Sequence, residues 1–404
     1  MLRRFFNSGQ VNPFSHPHLL KPRQFWPEIE AMEFATRRKK LMDLVPETEA
    51  VFIIHSAAVK YSSQNIFYRY QQNNNVLYLS GWNEPESAII LEKRAGSHKY
   101  YIFTKSQDEN SRLWEGKRNG LEMAKSLFGA DDAFPLDKLS VYLKEAKGPV
   151  YEAERASNLV EVLRVVKSPG EVALMRRAGE IAAEAHAIIE SAKLSEESQV
   201  EALFEYECKM RGAQGLSYVP VVAGDERGLI IHYTRNDQRV CDSLLVDAGC
   251  KYYGYCSDIT RTWPMQQFSS GLRRVYEAVE RVQRACLRIL AHPGPHRNLL
   301  ELNYVANHLF ADELKDMGMA GEKWTNELFP HSIGHYLGMD VHDCPSVSID
   351  RVLEPGMVLT VEPGLYIPRD ERFPREFHGC AVRIEDNVLV TEAGIEFLSR
   401  GQSS

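Results

Sequence analysis

Four acidic residues at the ends of apolar, β-branched runs constrain the fold of this chain more than any other feature of its sequence. Asp247 ends the run LLVD, and Asp258 follows it across the turn residues 249–254. Two strands joined in this way hold both carboxylates at one end of a hairpin. Glu362 ends the run MVLTVE, and Glu385 lies in the run VRIED. Each acid alone is typical of a solvated strand end, but a fold that gathers these strand ends creates a strongly acidic site.

Three histidines lie between the two pairs of acids, in the segment HSIGHYLGMDVHD. His331 and His335 have the i, i+4 spacing of a helical zinc motif, but Gly334 and Gly338 favour a loop or a broken helix. The segment also lacks the glutamate that follows the first histidine of the HExxH zinc motif. A single histidine commonly caps a turn or packs in a core, whereas three within twelve residues, ending at His342, indicate a functional loop.

The four acids predict a metal site if the fold brings them together. Converging carboxylates raise one another's pKa and resist burial unless cations neutralise them. Two divalent metal ions would balance four acids, and an imidazole would add a nitrogen ligand to this oxygen-rich set, which favours Mn²⁺, with Co²⁺ or Zn²⁺ as alternatives. Two adjacent metal ions polarise a carbonyl and lower the pKa of water, so the expected chemistry is hydrolysis.

The composition is that of a globular protein and excludes several classes of function. Lys and Arg total 48 against 55 Asp and Glu, a formal net charge of −7, so we expect no nucleic-acid partner. No apolar run of the 404-residue sequence approaches the ~18 residues of a membrane span. The seven cysteines contain no CxxC pair, and their odd number argues against a disulfide framework.

The order of strand-like and helix-like runs predicts two α/β (α+β) domains after a basic leader. The first 27 residues carry four basic side chains and no acid, so residues 1–30 are typical either of a mitochondrial presequence or of an ordinary basic tail. The runs VFIIH, NVLYLSG, SAIILEK and KYYIFTK are strand-like, and Leu113 to Phe128 is helix-like. These runs predict a mixed α/β domain over residues 31–165.

A helix-initiation signal marks the start of the second predicted domain, residues 166–404. Ser168, Pro169 and Glu171 provide an N-cap, a first-turn proline and a capping-box acid. The predicted helices of this domain span 172–194, 196–211, 271–290 and 299–317, and its predicted strands include YVPVV, LIIHY, SLLVDAG and SDITRTW.

These motifs resemble the M24 metallopeptidases of the pita-bread fold, and among them the aminopeptidase P family. The similarity runs through most of residues 168–398, in SYVPVVAG, IIHYTRND, LLVDAGCKYYGYCSDITRTWP, HSIGHYLGMDVHD, LEPGMVLTVEPGLYI and VRIEDNVLVT. The first half is similar to a creatinase-like domain in YRYQQNNNVLYLSGWNEPES and RLWEGKRNG, and GQVNPFSHPHLLKP resembles the mitochondrial branch of the family. The resemblance implies an N-terminal creatinase-like mixed α/β domain followed by a pita-bread metallopeptidase domain.

The resemblance implies two divalent metal ions, whose ligands fall on residues that are all present here: Asp247, Asp258, His335, Glu362 and Glu385. Asp258 and Glu385 would bridge the two ions, and Asp247 would bind one of them. His335 and Glu362 would bind the other ion, and Glu362 would also carry a proton to the leaving nitrogen.

The resemblance also implies roles for residues around the metal ions. The catalytic residues would be Glu362, His331 and His342, and the substrate-binding residues would be Tyr218, His232, His331, His342 and Arg383. His342 would donate to the peptide carbonyl, and His232 would lie near the leaving-group residue. Tyr218 and Arg383 would orient Asp247.

The expected activity is removal of the N-terminal residue from peptides or proteins, with a preference for Xaa-Pro, in mitochondrial protein processing. One alternative is trimming of a single residue from imported precursors without a proline requirement, and another is prolidase-like hydrolysis of dipeptides. A third alternative is an inactive pita-bread binding module, although such modules typically lack several ligands.

The resemblance further implies a homodimer, in which the Trp114 segment of one subunit approaches the cleft of the other. The alternative for Trp114 is packing within its own domain. We expect peptide or protein N-termini as substrates, no membrane span, and a mitochondrial location, with the cytoplasm as the alternative.

Overall fold

The computed structural model of the protein describes residues 9–292 and 297–399. The chain divides into two compact units, Met1–Arg164 (unit 1) and Val165–Ser404 (unit 2). Residues 1–8 of the predicted basic leader lie outside the described residues. The rest of that segment carries buried side chains, among them Leu20 and Ile29.

Unit 1 is built on a mixed five-stranded sheet. Its strands are β1 (Gln24–Trp26), β2 (Ile29–Glu30), β3 (Ala50–His55), β4 (Tyr61–Ser63), β5 (Ile66–Phe67), β6 (Ser87–Arg94), β7 (Ser97–Thr104), β8 (Asp132–Pro135) and β9 (Val150–Tyr151). The strand order in the five-stranded sheet is β8-β7-β6-β3-β9. Its helices are α1 (Ala31–Asp43), α2 (Asn74–Ser80), α3 (Glu109–Glu115), α4 (Gly120–Ser126), α5 (Leu139–Lys144) and α6 (Ala153–Arg164). Strands β3, β6 and β7 pair antiparallel, and β8 and β9 add in parallel at the edges.

The strands predicted from VFIIH, SAIILEK and KYYIFTK are confirmed as β3, β6 and β7. The strand predicted from NVLYLSG is wrong, because these residues form α2. Asn73 caps this helix by accepting from the Asn75 N–H, and Gly81 ends it in the left-handed conformation at φ 67°. Residues 75–80 are all buried, so the sequence shows no polar face from which a helical period could be read.

The helix content predicted for Leu113 to Phe128 is confirmed, but the chain divides it between α3 and α4, with residues 116–119 outside both helices. Asp108 caps α3 by accepting from the Ser111 N–H, and α3 ends at Gly116, which has φ 77°. A positive φ favours glycine and stops the helix.

The described residues of unit 2 form four short antiparallel sheets and five helices. The strands are β10 (Gly215–Leu216), β11 (Val221–Gly224), β12 (Ser243–Asp247), β13 (Cys250–Tyr252), β14 (Tyr255–Cys256), β15 (Thr260–Pro264), β16 (Val358–Val361), β17 (Gly364–Ile367), β18 (Cys380–Arg383), β19 (Asp386–Thr391) and β20 (Gly394–Phe397). The helices are α7 (Pro169–Ala192), α8 (Glu197–Met210), α9 (Ser270–Ala291), α10 (Leu299–Asp316) and α11 (Gly321–Leu328).

Two hydrophobic cores divide unit 2 into halves. In the first half, α7 and α8 pack against the β10–β15 strands through residues such as Ala182, Phe204 and Val246. In the second half, α9 and α10 pack with β16, β17, β18 and β19 through residues such as Val279 and Phe310. The strands therefore lie between two helical layers, and the ends of β12, β16 and β18 carry the predicted site.

The predicted helices of unit 2 are confirmed as α7, α8, α9 and α10. Ser168 caps α7 and forms the predicted capping box with Glu171, and Pro169 occupies the first turn. The strand predicted from LIIHY is wrong, because residues 225–229 form a 3₁₀ turn and irregular backbone follows. The strand predicted from VRIED ends at Arg383, so Glu385 lies in the break between β18 and β19.

Two negative expectations from the composition bear on the fold. All seven cysteines carry free thiols. Among residues 9–292 and 297–399, no helix combines the length and the apolar character that crossing a bilayer requires.

Candidate metal centre

The strand ends of unit 2 bring several of the predicted ligands together. Asp258 lies two residues before β15, which pairs antiparallel with β12 so that Asp247 faces Thr260. The Glu385 N–H donates to the Thr260 carbonyl at 3.0 Å, which joins the break after β18 to the same strand. One ligand atom from each of Asp258, His335 and Glu385 lies within 4.8 Å of the others, a spacing that could hold a metal ion.

His335 lies in the irregular loop that the glycines predicted, and its ring faces two acids. Its Nε2 is 3.4 Å from an oxygen of Asp258 and 3.4 Å from Oε1 of Glu362. Its Nδ1 donates to the Tyr336 carbonyl at 3.0 Å. Because a carbonyl only accepts, Nδ1 carries a proton, and Nε2 is the ring nitrogen that faces the two acids. Burial lowers the pKa of His335, but the hydrogen bond with Asp258 and the charges of Glu362 and Asp258 outweigh burial and raise the pKa to about 9. A metal ion bound at Nε2 would take the place of the second ring proton.

Asp247 is held from both sides by hydrogen-bond donors. The Tyr218 hydroxyl lies 2.6 Å from Asp247 Oδ1 and also contacts Asp258. Arg383 Nη2 donates to Asp247 Oδ2 at 2.6 Å, and Arg383 Nε donates to the Thr260 hydroxyl at 3.2 Å. The Arg383 side chain is only 2% exposed, so its charge acts on Asp247 with little screening by solvent.

The environment of Glu385 is the most direct indication that these residues could bind a cation. Glu385 is 1% exposed, and its Oε2 accepts from the Thr260 hydroxyl at 2.7 Å. Its Oε1 is buried and has no hydrogen-bond donor in the described part of the chain. Burial raises the pKa of Glu385 well above its usual value, and the neighbouring acids raise it further. A buried carboxylate oxygen without a donor, among other acids, fits a bound cation.

The other acids of the cluster are also perturbed. Burial raises the pKa of Glu362 to about 7 against the opposing effect of His335, and it raises the pKa of Asp247 against Arg383. For Asp258, burial acts in the same upward sense, but the hydrogen bond and charge of His335 outweigh it and lower the pKa. Among the described residues, the Arg383 guanidinium acts to lower the pKa of Asp247, Asp258 and Glu362, and bound divalent cations would offset the negative charge of the four carboxyl groups.

His331 is tied into the same network through Tyr366. Its Nδ1 donates to the Ser332 carbonyl at 2.8 Å, so its Nε2, 2.9 Å from the Tyr366 hydroxyl, is an acceptor. Arg383 Nη1 donates to that hydroxyl at 2.7 Å, which leaves the hydroxyl proton for His331. Burial lowers the pKa of His331 to about 4, so the ring is neutral. Both of its nitrogens are thus engaged within the protein.

His342 and His232 lie at the open side of the cluster. The His342 ring makes a T-shaped contact with His335, with ring centroids 4.4 Å apart. Both His342 and His232 are exposed. After burial, the charges of His335 and His232 contribute to lowering the pKa of His342, and His232 also contributes at His331. His232 therefore lies near the other histidines without being buried among them.

Known protein families match both units of the chain. The sequence pattern of the Aminopeptidase P, N-terminal domain matches residues 34–151. The pattern of Metallopeptidase family M24 matches residues 173–392, more than half of the chain. The chain belongs to metallopeptidase family M24.

Relatives of this M24 chain resemble it over nearly its whole length. Xaa-Pro aminopeptidase 3 of Mus musculus is 38% identical over 95% of this chain and 86% of that protein. The mitochondrial intermediate cleaving peptidase 55 of Arabidopsis thaliana is 36% identical over 97% of this chain and 84% of that protein. The crystal structure of Icp55 from Saccharomyces cerevisiae superposes with a TM-score of 0.86 at 33% identity and covers 93% of this chain and 95% of that one. The predicted fold class is confirmed.

Several residues of the site were not predicted from the sequence. Thr260 and Thr360 lie two residues from Asp258 and Glu362. The Thr360 hydroxyl accepts from the His335 N–H at 3.1 Å and donates to Glu362 at 3.2 Å. Because side chains two residues apart share a face in extended backbone, a hydroxyl at i±2 from each predicted ligand was a usable signal.

Tyr366 and Asn387 were also missed. Tyr366 joins His331 to Arg383. The Asn387 side chain accepts from the Asp258 N–H at 3.0 Å and donates to the Asp258 carbonyl. No sequence pattern points to these two contacts, because each crosses between elements that only the tertiary fold brings together.

Proposed function

We propose that this chain is a two-metal aminopeptidase that hydrolyses the N-terminal residue from peptides or proteins, with a preference for proline in the second position. The observation that carries the proposal is a cluster in which the buried Asp258 and Glu385 lie beside the half-buried His335 and Glu362, with Glu385 Oε1 lacking a donor among the described residues. The half-buried Asp247 joins this cluster through Tyr218, which contacts both Asp247 and Asp258. Such a cluster fits two divalent ions far better than it fits a packed core.

The proposed ligands are Asp247, Asp258, His335, Glu362 and Glu385. Asp258 and Glu385 would be shared by the two ions. Four carboxylates and one imidazole form an oxygen-rich set that favours Mn²⁺, with Co²⁺ or Zn²⁺ as alternatives. Bound divalent ions supply a Lewis acid for the scissile carbonyl and lower the pKa of water at the site.

The side chains around this set have separate proposed tasks. Glu362 faces both His335 and His331, so we assign to its carboxylate the transfer of a proton to the leaving nitrogen. His342 is exposed beside His335, and its ring makes no hydrogen bond among the described residues. It is the proposed donor to the peptide carbonyl.

Three further residues shape the site without donating to the reacting bond. Tyr218 and Arg383 orient Asp247. His331 has both nitrogens engaged, so its proposed contact with substrate is through the ring itself. The ring stacks edge-on against the buried Phe329, with centroids 4.9 Å apart, which provides an apolar wall. An Xaa-Pro bond has no amide hydrogen, so shape must recognise the proline ring.

We also propose that the protein acts in mitochondria on imported precursors, as the name of the Arabidopsis relative suggests. The Gln10 side chain donates to the Gly81 carbonyl at 2.7 Å and accepts from the Asn83 N–H at 2.9 Å. Residue 10 is therefore packed against residues 81–83 of unit 1, and we propose that a presequence, where one is removed, ends before it.

A homodimer is proposed for the same protein. Trp114 and Leu113 are 80% and 81% exposed on α3, and the β4–β5 hairpin exposes Tyr61, Ile66 and Phe67. Neighbouring exposed apolar side chains, as on each of these two segments, mark interaction surfaces. Light scattering of the purified protein tests this proposal, and a monomer at micromolar concentration would contradict it.

Hydrolysis of a peptide panel tests the activity. The panel pairs Xaa-Pro-Yaa tripeptides with Xaa-Ala-Yaa tripeptides and Xaa-Pro dipeptides, with Mn²⁺ supplied and then chelated. We expect metal-dependent release of Xaa from the tripeptides and a kcat/KM at least ~10-fold higher for proline, the discrimination that one shaped pocket provides. Equal rates for alanine would favour trimming without a proline requirement, turnover only of dipeptides would favour prolidase, and no turnover would leave a binding module.

A further inference from the structure

Glu197, the first residue of α8, is a buried glutamate outside the metal cluster whose hydrogen bonds all lead to one segment. It is 0% exposed. Its Oε1 accepts from the Gly224 N–H at 2.9 Å and from Arg227 Nε at 2.6 Å. Its Oε2 accepts from the Tyr233 hydroxyl at 2.8 Å and from the Gln238 N–H at 2.9 Å. Each oxygen therefore has two donors, and the carboxylate is fully satisfied.

Two of these four donors lie at the start of residues 224–238, which we call the His232 segment, and the other two lie in its second half. Oε1 accepts from Gly224 and Arg227, and Oε2 accepts from Tyr233 and Gln238, so one carboxylate joins the two halves of the segment. The Glu197 N–H adds a bond to the Gln238 carbonyl at 3.0 Å. The segment has an apolar sequence, LIIHY, that favours a strand, and these bonds account for its irregular backbone instead.

The His232 segment has a second attachment at Asn236. This residue has φ 49°, and its side chain accepts from the Val222 N–H at 3.0 Å and donates to the Pro220 carbonyl at 2.9 Å. Between the two attachments, the Tyr233 side chain is buried whereas the neighbouring His232 side chain is exposed. The segment therefore presents His232 from a backbone that is held on both sides.

We propose that Glu197 is a positioning residue for substrate binding, because its carboxylate holds the His232 segment in the shape that presents His232 to the leaving-group part of the peptide. The inference deepens the proposed function and rests on it. Glu197 touches no reacting atom, and its effect on substrate is transmitted through Tyr233 and the adjoining backbone of His232.

The variant Glu197→Gln tests this role, because it replaces a single carboxylate oxygen with an amide NH₂ group. The Arg227 guanidinium retains the remaining amide oxygen, because it is a charged donor that requires an acceptor. The new amide NH₂ then faces the Gln238 N–H, and two donors cannot bond. The bond to the Gln238 N–H, at the far end of the segment that contains His232, is therefore the one that breaks.

We expect Glu197→Gln to raise KM for an Xaa-Pro tripeptide between ~10- and ~100-fold, the cost of misplacing a binding group by about 1 Å, with a much smaller change in kcat. The Mn²⁺ content should equal that of the wild type, because Glu197 contacts none of the proposed ligands. Binding of a proline-initiated dipeptide, measured by calorimetry, should weaken by the same factor.

A double-mutant cycle with His232→Ala separates positioning from general stability. If Glu197 acts through His232, Glu197→Gln causes no further rise in KM or in the dipeptide Kd when His232 is already alanine. Equal effects in both backgrounds, or no effect on the wild-type background, would overturn the proposal. The dipeptide measurement requires no turnover, so an enzyme that binds but does not hydrolyse would refute the proposed function and still test this inference.

Two further variants keep the test independent of folding. Tyr233→Phe removes a single donor to Glu197 and should produce a smaller rise in KM of the same kind, also abolished by His232→Ala. Glu171→Gln is the matched control, because Glu171 is 2% exposed in the same unit and accepts from the Tyr255 hydroxyl at 2.8 Å. Its effects should be additive with His232→Ala.

Discussion

Glu84 in unit 1 and Glu385 in unit 2 are both buried carboxyl groups with one oxygen that lacks a hydrogen-bond donor, but their neighbouring residues differ. Glu84 is 6% exposed and Glu385 is 1% exposed. Each has one oxygen that accepts a hydrogen bond, from the Asn119 N–H at 2.7 Å and from the Thr260 hydroxyl at 2.7 Å. The other oxygen of each carboxyl is buried and has no donor within residues 9–292 and 297–399.

The neighbours decide what each carboxyl does. Burial raises the pKa of Glu84 to about 7, against the Asn119 bond and the Arg118 charge, and no other acid contributes to the shift. At Glu385, burial and the nearby acids all raise the pKa. A lone buried carboxyl can be neutralised by one proton, whereas a cluster of four needs more positive charge. An oxygen without a donor therefore indicates a metal site only when other ligands surround it.

Among the variants that test this comparison, replacement of Glu385 should have the largest effect on activity and metal content. Glu385→Ala removes a ligand proposed to be shared by both ions, and losing several kcal/mol of transition-state stabilisation lowers kcat/KM by roughly 10³-fold or more. Glu84→Gln is the control and should retain wild-type metal content and activity. Elemental analysis and peptide hydrolysis check both variants, and a Glu385→Ala protein with two bound metal ions would contradict the site.

Metal removal should have the next largest effect, and only on the unit that contains Glu385. A ligand held at 100 times its Kd stabilises the folded state by about 2.7 kcal/mol, which corresponds to a fall of roughly 5–10 °C in the melting temperature of unit 2 when the metal is chelated. Calorimetry should show this fall for the wild type and for Glu84→Gln. Glu385→Ala should melt at the same temperature with and without chelator, and a metal-dependent shift in that variant would argue against the assignment.

The positions of the site acids could be predicted from sequence because short-range signals mark strand ends. Gly249 and Gly254 mark the turn region between Asp247 and Asp258, and Pro363 follows Glu362 directly. The capping box before α7 is equally local. Patterns of this kind depend on neighbouring residues and survive without knowledge of the tertiary fold.

The features that could not be predicted depend on distant partners. The LIIHY run has strand propensity, yet Glu197 holds it in another shape through bonds that span 36 and 41 residues. Tyr366 and His331 are 35 residues apart, and their hydrogen bond exists only because β17 passes the histidine loop. Buried helix α2 lacks a polar face, so its composition suggested a strand. In each case tertiary contacts override local preference.

The prediction with the smallest effect on activity concerns Glu84, and it appears as a pH dependence of stability. The folded-state pKa of about 7 exceeds the usual 4.5, so the folded protein binds this proton more tightly than the unfolded chain does. Both states are protonated below pH 4.5, and both are ionised above pH 7. Between these values the unfolded chain releases the proton first, and the free energy of unfolding falls by about 3 kcal/mol in total as pH rises.

Glu84→Gln should remove this loss, because the amide cannot ionise. Urea unfolding at pH 5 and pH 8 should show that the free energy of unfolding of the variant, relative to that of the wild type, increases as pH rises. Glu86→Gln is the matched control, because Lys105 and Arg118 outweigh burial and lower the pKa of Glu86. That carboxyl is ionised in both states throughout this range, so the difference between Glu86→Gln and the wild type should not change with pH. A Glu84→Gln difference that is equally constant would mean that the Glu84 oxygen has a donor in solution, and the contrast with Glu385 would then rest on its neighbouring acids alone.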